Sequence, residues 1–209
     1  MIRSAQHQYW GVNKCQWKHC GAALLENAKG PQAPPRPEPR RQEPAASPPD
    51  HFGELIEGDE VFVAGAQKTV RSVPSDGDCL FHALSLLLSE GGVPISAQGV
   101  REVCVKTAFK SRNDVVDPAD PAATFSSEMM KMAQCTPGVY KKRMLEPGTW
   151  GGWLEIAAFS RALKVGVDVC CFDAEGSLGV WQSTTPTDSE LGRAYVLFSK
   201  TTHYQALAQ

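Results

Sequence analysis

Apolar positions recur at 80, 83, 84, 87 and 88, the i, i+3, i+4, i+7 and i+8 spacing of a helix that buries one face, and predict a helix over residues 80–88. A second helix is predicted over 96–112, with Val100, Val103, Cys104 and Phe109 on or near one face. A methionine-rich third is predicted over 125–134 and an amphipathic fourth over 153–163. Elsewhere the period shortens. Residues 60–64 and 68–73 read as a hairpin turning at Gly65, Ala66 and Gln67. Residues 165–172 run apolar like a central strand, and 178–182 and 195–199 add strands beside it. The sum is an α/β fold, a small mixed sheet with helices on both sides. Met129, Met130 and Met132 read as packing residues rather than metal ligands, and Trp150 and Trp153 as core anchors.

Composition limits the partners. A chain of 209 residues with 42% apolar content can bury one good core. A net charge of -2 without a basic stripe argues against nucleic acid. The run Lys141-Lys142-Arg143 reads as a solvated face or a contact for an acidic patch. Seven cysteines in irregular positions, Cys170 and Cys171 adjacent, suit reduced thiols in the cytoplasm. No stretch is apolar enough to span a membrane and the N-terminus lacks a signal-peptide core, so a monomer without a membrane role is expected.

The first fifty residues differ in character. Residues 29–50 carry Pro31, Pro34, Pro35, Pro37 and Pro39 and read as an extended, disordered linker. Pro34 and Pro37 also form a PxxP spacing ahead of Arg40 and Arg41 that an SH3-type partner could read. Residues 1–28 form a short segment without an assigned role, rich in aromatics. Its Cys15, Cys20 and His19 or His7 are spaced poorly for zinc, and a docking segment or the tail of a larger polyprotein's preceding region is the better reading. Residues 51–209 make up the remaining domain.

Chemistry concentrates at the start of the first helix, Asp76-Gly77-Asp78-Cys79-Leu80-Phe81. A thiol near a helix N-terminus is stabilised as thiolate by the unpaired N–H groups there, and those groups can also hold a developing oxyanion. Asp76 or Asp78 would cap the helix and Gly77 would permit the sharp turn. A calcium loop is excluded, since its twelfth position is Leu87, where a Glu is required. The alternative for Cys79 is a small buried residue. Of the five histidines, His82 lies one turn down the same helix, whereas His203 follows a strand-like run, 194–198, and a short polar turn. A strand end suits a base that must meet a nucleophile on another element, and His203 is the candidate.

These residues resemble the ovarian-tumour (OTU) family of cysteine proteases, most of which are deubiquitinases. Residues 76–81 look like its nucleophile motif, Trp150-Gly151-Gly152-Trp153-Leu154-Glu155 like its Trp-Gly-Gly helix start, and His203-Tyr204 like its histidine-aromatic motif, in the family's order over about residues 54–209. The resemblance implies the OTU fold of the papain-like superfamily, Cys79 as nucleophile and His203 as general base and acid. Many members place Asn or Asp two residues after the histidine to orient its ring, where this chain has Gln205. Asp76 is therefore the expected third residue, orienting His203 or shaping the oxyanion loop, with Gln205 as rival.

What the resemblance implies about activity is hydrolysis of the isopeptide bond after the C-terminal glycine of ubiquitin, polyubiquitin or a ubiquitin-like modifier. A narrow channel for the tail's glycines would draw on Trp150, Gly151, Gly152 and Tyr204. No metal or cofactor is implied, and the expected location is the cytoplasm, or a host's cytoplasm for an effector or viral protein. Two alternatives stay open: a catalytically weak ubiquitin-binding adaptor, and a viral polyprotein-processing protease.

Overall fold

The computed structural model describes residues 55–117, 120–173, 175–186, 191–199 and 203–209, the side chains of 132 and 133 excepted. The expected segments 1–28 and 29–50, with their zinc and PxxP readings, lie outside the described residues, as does the side chain of Met132.

The elements run β1 (Glu60–Val63), β2 (Ala66–Arg71), α1 (Cys79–Glu90), α2 (Ala97–Lys110), β3 (Val115–Asp117), β4 (Asp120–Thr124), α3 (Phe125–Ala133), α4 (Pro137–Met144), α5 (Trp153–Leu163), β5 (Val165–Phe172), β6 (Leu178–Thr184), β7 (Gly192–Ser199) and β8 (His203–Ala208). The first hairpin turns over Ala64 and Gly65, both at positive φ, one residue earlier than the pattern predicts. A two-residue turn with both φ positive matches the twist of its flanking strands, which explains the shift. Ser96 caps α2 by accepting from the Gly99 N–H at 3.1 Å rather than forming part of it.

Three features went unpredicted, the hairpin of β3 and β4, the helix α4 and the strand β8, which His203 opens. Thr136 and Pro137 signal α4, the one accepting at the N-cap and the other filling the first helical position. The basic run Lys141-Lys142-Arg143 is its last turn, where cations complement the helix dipole. Two packing assignments change as well. Met129 is buried but Met130 is half exposed, and Trp150 is 42% exposed, no core anchor. Trp153 does pack against the core.

Six strands form one mixed sheet in the order β1-β2-β8-β7-β5-β6, with only β5 and β7 parallel. One face carries Val167, Val169, Val196, Tyr204 and Ala206 against Leu80, Phe81 and Leu84 of α1, Cys104 of α2, and Leu154, Ile156 and Phe159 of α5. Each fully buried Leu, Ile or Phe there contributes about 1.5–3 kcal/mol. The other face is a smaller cluster, Val63, Val70, Cys170, Leu197 and Leu207, to which no helix contributes. The two outermost strands, β1 and β6, approach each other, so the sheet curls. The α/β class and mixed sheet are thus as expected, with one refinement: among the described residues the helices gather on one face and curl covers the other. Helix α1 packs directly on β8, which brings position 79 to position 203.

Candidate active site

Asp78 is the N-cap of α1 and Cys79 opens the helix. The turn into it depends on Gly77, at φ +86, a conformation that side-chain-bearing residues resist. A Cβ on Gly77 would also lie 2.3 Å from the carbonyl oxygen of Gly148, so two loops distant in sequence meet here without side chains between them. Cys79 is 7% exposed, and its sulfur lies near the backbone of Tyr204 in β8 as well as that of its own helix start. Burial pushes the thiol above its ordinary range and the Asp76 charge adds to this, while the backbone of Tyr204, Leu80 and Cys79 itself opposes it.

His203 is the first residue of β8, adjacent to Tyr204, whose backbone acts to lower the Cys79 thiol. Burial holds its imidazole below the ordinary value, and the Asp76 charge acts in the opposite direction. Both displacements favour the uncharged forms. A thiol and an imidazole displaced in these directions can exchange a proton when an electrophile arrives. Nδ1 of His203 is buried and has no hydrogen-bond partner among the described residues.

The two candidates for orienting His203 are both engaged elsewhere. Asp76 accepts from the Asp78 N–H at 2.9 Å through Oδ1, and its Oδ2 meets His82 Nε2 at 3.2 Å. That is the loop-shaping geometry, with His82 in the role of an anchor for Asp76. Gln205 is 7% exposed, and its Nε2 donates to the Leu55 carbonyl at 3.3 Å. Nor does the Asp78 carboxylate cap the helix, as expected for one of the two aspartates; it binds Arg101 and accepts from the Gly148 N–H at 3.1 Å.

The candidate channel residues divide. Trp150 is exposed. Gly151 is needed for internal packing, since a Cβ there would lie 2.7 Å from Phe81 Cζ. Gly152 starts α5 and donates its N–H to Glu155 Oε2 at 2.8 Å. The ring of Tyr204 lies in the core, 9% exposed and 4.8 Å from the Phe198 ring, so this residue serves the site through its backbone.

Three residues around the site escaped the sequence reading. Arg101 is fully buried and reaches Asp78; its position beside Val100 in the apolar phase of Cys104, Val105 and Ala108 is the signal that marks it. Glu155 is buried with Oε1 unpartnered, and burial pushes its carboxyl up to about 7 against the opposing pull of the Gly152 N–H and Arg101. Its place three residues after Gly152 is a capping-box signal. Gly148 has no local signal, because its role depends on Gly77. Asp76, Asp78 and His82 offer ligand atoms within 4.8 Å of one another, but each carboxylate already holds a cationic or N–H partner from the chain.

A thiol at a helix N-terminus, met by a histidine that opens an adjacent strand, is the arrangement of a cysteine protease. Residues 74–204 match the family of OTU-like cysteine proteases, and the chain belongs to that family. Among curated proteins it is similar to Deubiquitinase OTUD6B of Xenopus laevis, 28% identical over 108 residues, covering 52% of this chain and 35% of the relative. The Xenopus tropicalis protein of the same name is 30% identical over the same length and coverage. The match thus spans about a third of those relatives. Two solved structures share the fold. The OTUD1 OTU domain aligns at TM-score 0.50 and 18% identity, over 68% of this chain and 86% of that one. An OTU domain in complex with ubiquitin aligns at TM-score 0.50 and 21% identity, over 74% and 78%.

Proposed function

We propose that this chain is a deubiquitinase, hydrolysing the isopeptide bond that follows the C-terminal glycine of ubiquitin or a ubiquitin-like modifier. The observation that carries the reading is Cys79 at the N-terminus of α1, packed on β8, the strand that His203 opens. In this reading His203 takes the thiol proton and the thiolate adds to the carbonyl carbon. The oxyanion is received by backbone N–H groups of the 76–79 loop other than that of Asp78, which Asp76 already holds. Its collapse breaks the C–N bond, and His203 protonates the departing lysine amine. Water, deprotonated by His203, then cleaves the thioester. Membership of a cysteine protease family and similarity to proteins called deubiquitinases support this substrate class. The five free cysteines among the described residues support a reducing location, the cytoplasm.

One observation favours a second reading, a weak enzyme acting mainly as a ubiquitin-binding adaptor. Among the described residues, the ring Nδ1 of His203 lacks the acceptor that would stabilise an imidazolium. Incubation with ubiquitin bearing a C-terminal thiol-reactive electrophile, followed by mass spectrometry, separates the two. A deubiquitinase gives a one-ubiquitin adduct that Cys79→Ala abolishes and His203→Ala slows. An adaptor binds ubiquitin without the adduct. Neither adduct nor binding sinks both.

A further inference from the structure

Arg101 lies in the middle of α2, yet its side chain reaches three segments around Cys79. It is 0% exposed. One guanidinium nitrogen, Nη1, donates to the Met144 carbonyl at 2.8 Å and approaches the Met144 sulfur at 3.6 Å. The other, Nη2, donates to the Thr149 carbonyl at 2.8 Å and to Asp78 Oδ1. The guanidinium plane sits 4.0 Å from the ring centroid of Phe81, two residues into α1. A buried charge is costly unless its donors are satisfied, and here the acceptors come from both walls of the turn preceding Cys79. Asp78 closes the circuit through the Gly148 N–H, immediately beside the point where Gly77 and Gly148 touch.

We propose that Arg101 is a positioning residue for the oxyanion loop. It clamps residues 76–78 against 144–149 so that the backbone N–H groups of this turn not held by Asp76 keep a fixed direction toward the charge that develops on the substrate carbonyl. The inference rests on Cys79 being the nucleophile and does not depend on what protein is cleaved. Fixed backbone dipoles are effective because they need no reorganisation during reaction, and loosening this clamp restores that cost. A planar fork satisfies two carbonyls and a carboxylate at once, which a lysine ammonium cannot reproduce in the same plane.

The test compares two reactions at Cys79 in the full chain, followed by peptide mass spectrometry. Alkylation by iodoacetamide forms a C–S bond and releases iodide with no oxyanion. Acylation by p-nitrophenyl acetate passes through a tetrahedral oxyanion and releases p-nitrophenolate. For Arg101→Lys the acylation rate is expected to fall about 10–100-fold while alkylation stays within about twofold. Equal losses in both reactions, or none in either, overturn the proposal. So does wild-type Cys79 that is alkylated but never acylated. If thermal melting shows Arg101→Lys unfolded, Asp78→Asn decides by the same ratio, being on the loop side of the pair. Acylation by the ester in a wild type that forms no adduct with electrophilic ubiquitin would remove ubiquitin as substrate and leave the role of Arg101 standing.

Discussion

The side-chain nitrogen of Gln205 donates to the carbonyl oxygen of Leu55 at 3.3 Å, and Nδ1 of His203, two positions earlier in β8, is buried without a partner among the described residues. Residues two apart in a strand face the same side, so an acceptor at 205 is well placed to serve the ring. Gln205→Ala is expected to change kcat/KM by less than about threefold, because no bond to the histidine is lost. Gln205→Asn is expected to raise it about 2–10-fold, the worth of one hydrogen bond to the imidazolium. Hydrolysis of a fluorogenic ubiquitin conjugate across pH measures both.

Asp76 bears on the site through its charge and its loop contacts rather than by touching His203. Its charge adds to the upward displacement of the Cys79 thiol that burial causes, and it counters the lowering of His203 by burial. Asp76→Asn keeps an oxygen for the Asp78 N–H while removing the charge. The thiol midpoint is expected to move down, so that iodoacetamide reacts faster at neutral pH, and the histidine midpoint to move down with it. The pH dependence of alkylation and of hydrolysis reports the two separately.

Gly77→Ala introduces a Cβ 2.3 Å from the Gly148 oxygen at a position with φ +86. Because that neighbour is backbone, the whole loop must shift. Acyl transfer is expected to fall at least about 100-fold, with a stability loss of about 1–3 kcal/mol. Steady-state kinetics and denaturant titration test the pair of effects, and an unchanged rate would contradict the placement of this loop.

Glu155 gives the fold a pH dependence of definite sign. Its carboxyl titrates at about 7 when folded, raised by burial from 4.5. Between those values the folded protein retains a proton that the unfolded chain has lost. Stability from this group is complete below about 4.5 and declines as pH rises to about 7. Glu155→Gln keeps an acceptor for the Gly152 N–H and removes the slope. The stability of the variant relative to wild type is expected to grow between about pH 5 and 7.5, by up to about 3 kcal/mol. Urea unfolding at several pH values checks it.

How much of this was legible in the sequence depended on whether a residue's role is local. The spacing of Leu80, Ala83 and Leu84 marks α1, and the runs 153–163 and 165–172 match α5 and β5 to the residue, because burial of one face is written in the period. Cys79 and His203 could be singled out because their types and neighbours are uncommon. Roles created by tertiary contact could not. Asp78 has the composition of a cap, yet its carboxylate faces an arginine 23 residues away. Gln205 has the position of an orienting residue, yet its nitrogen binds a carbonyl 150 residues earlier. The short hairpin of β3 and β4 lacks a strong alternation, with Asp117, Asp120 and Pro121 in its few positions.

The bond from the Gly148 N–H to Asp78 spans 70 positions of the chain, and the one from Arg101 to Thr149 spans 48. Contacts of such sequence separation form late, since closing long loops is entropically costly until other packing has reduced the cost. Helix α1 can therefore exist in a partly folded chain whose nucleophile loop is still open. The surroundings of Cys79 are complete only once the chain through Thr149 and the strand bearing His203 have docked, which makes the state of this thiol a reporter of finished folding.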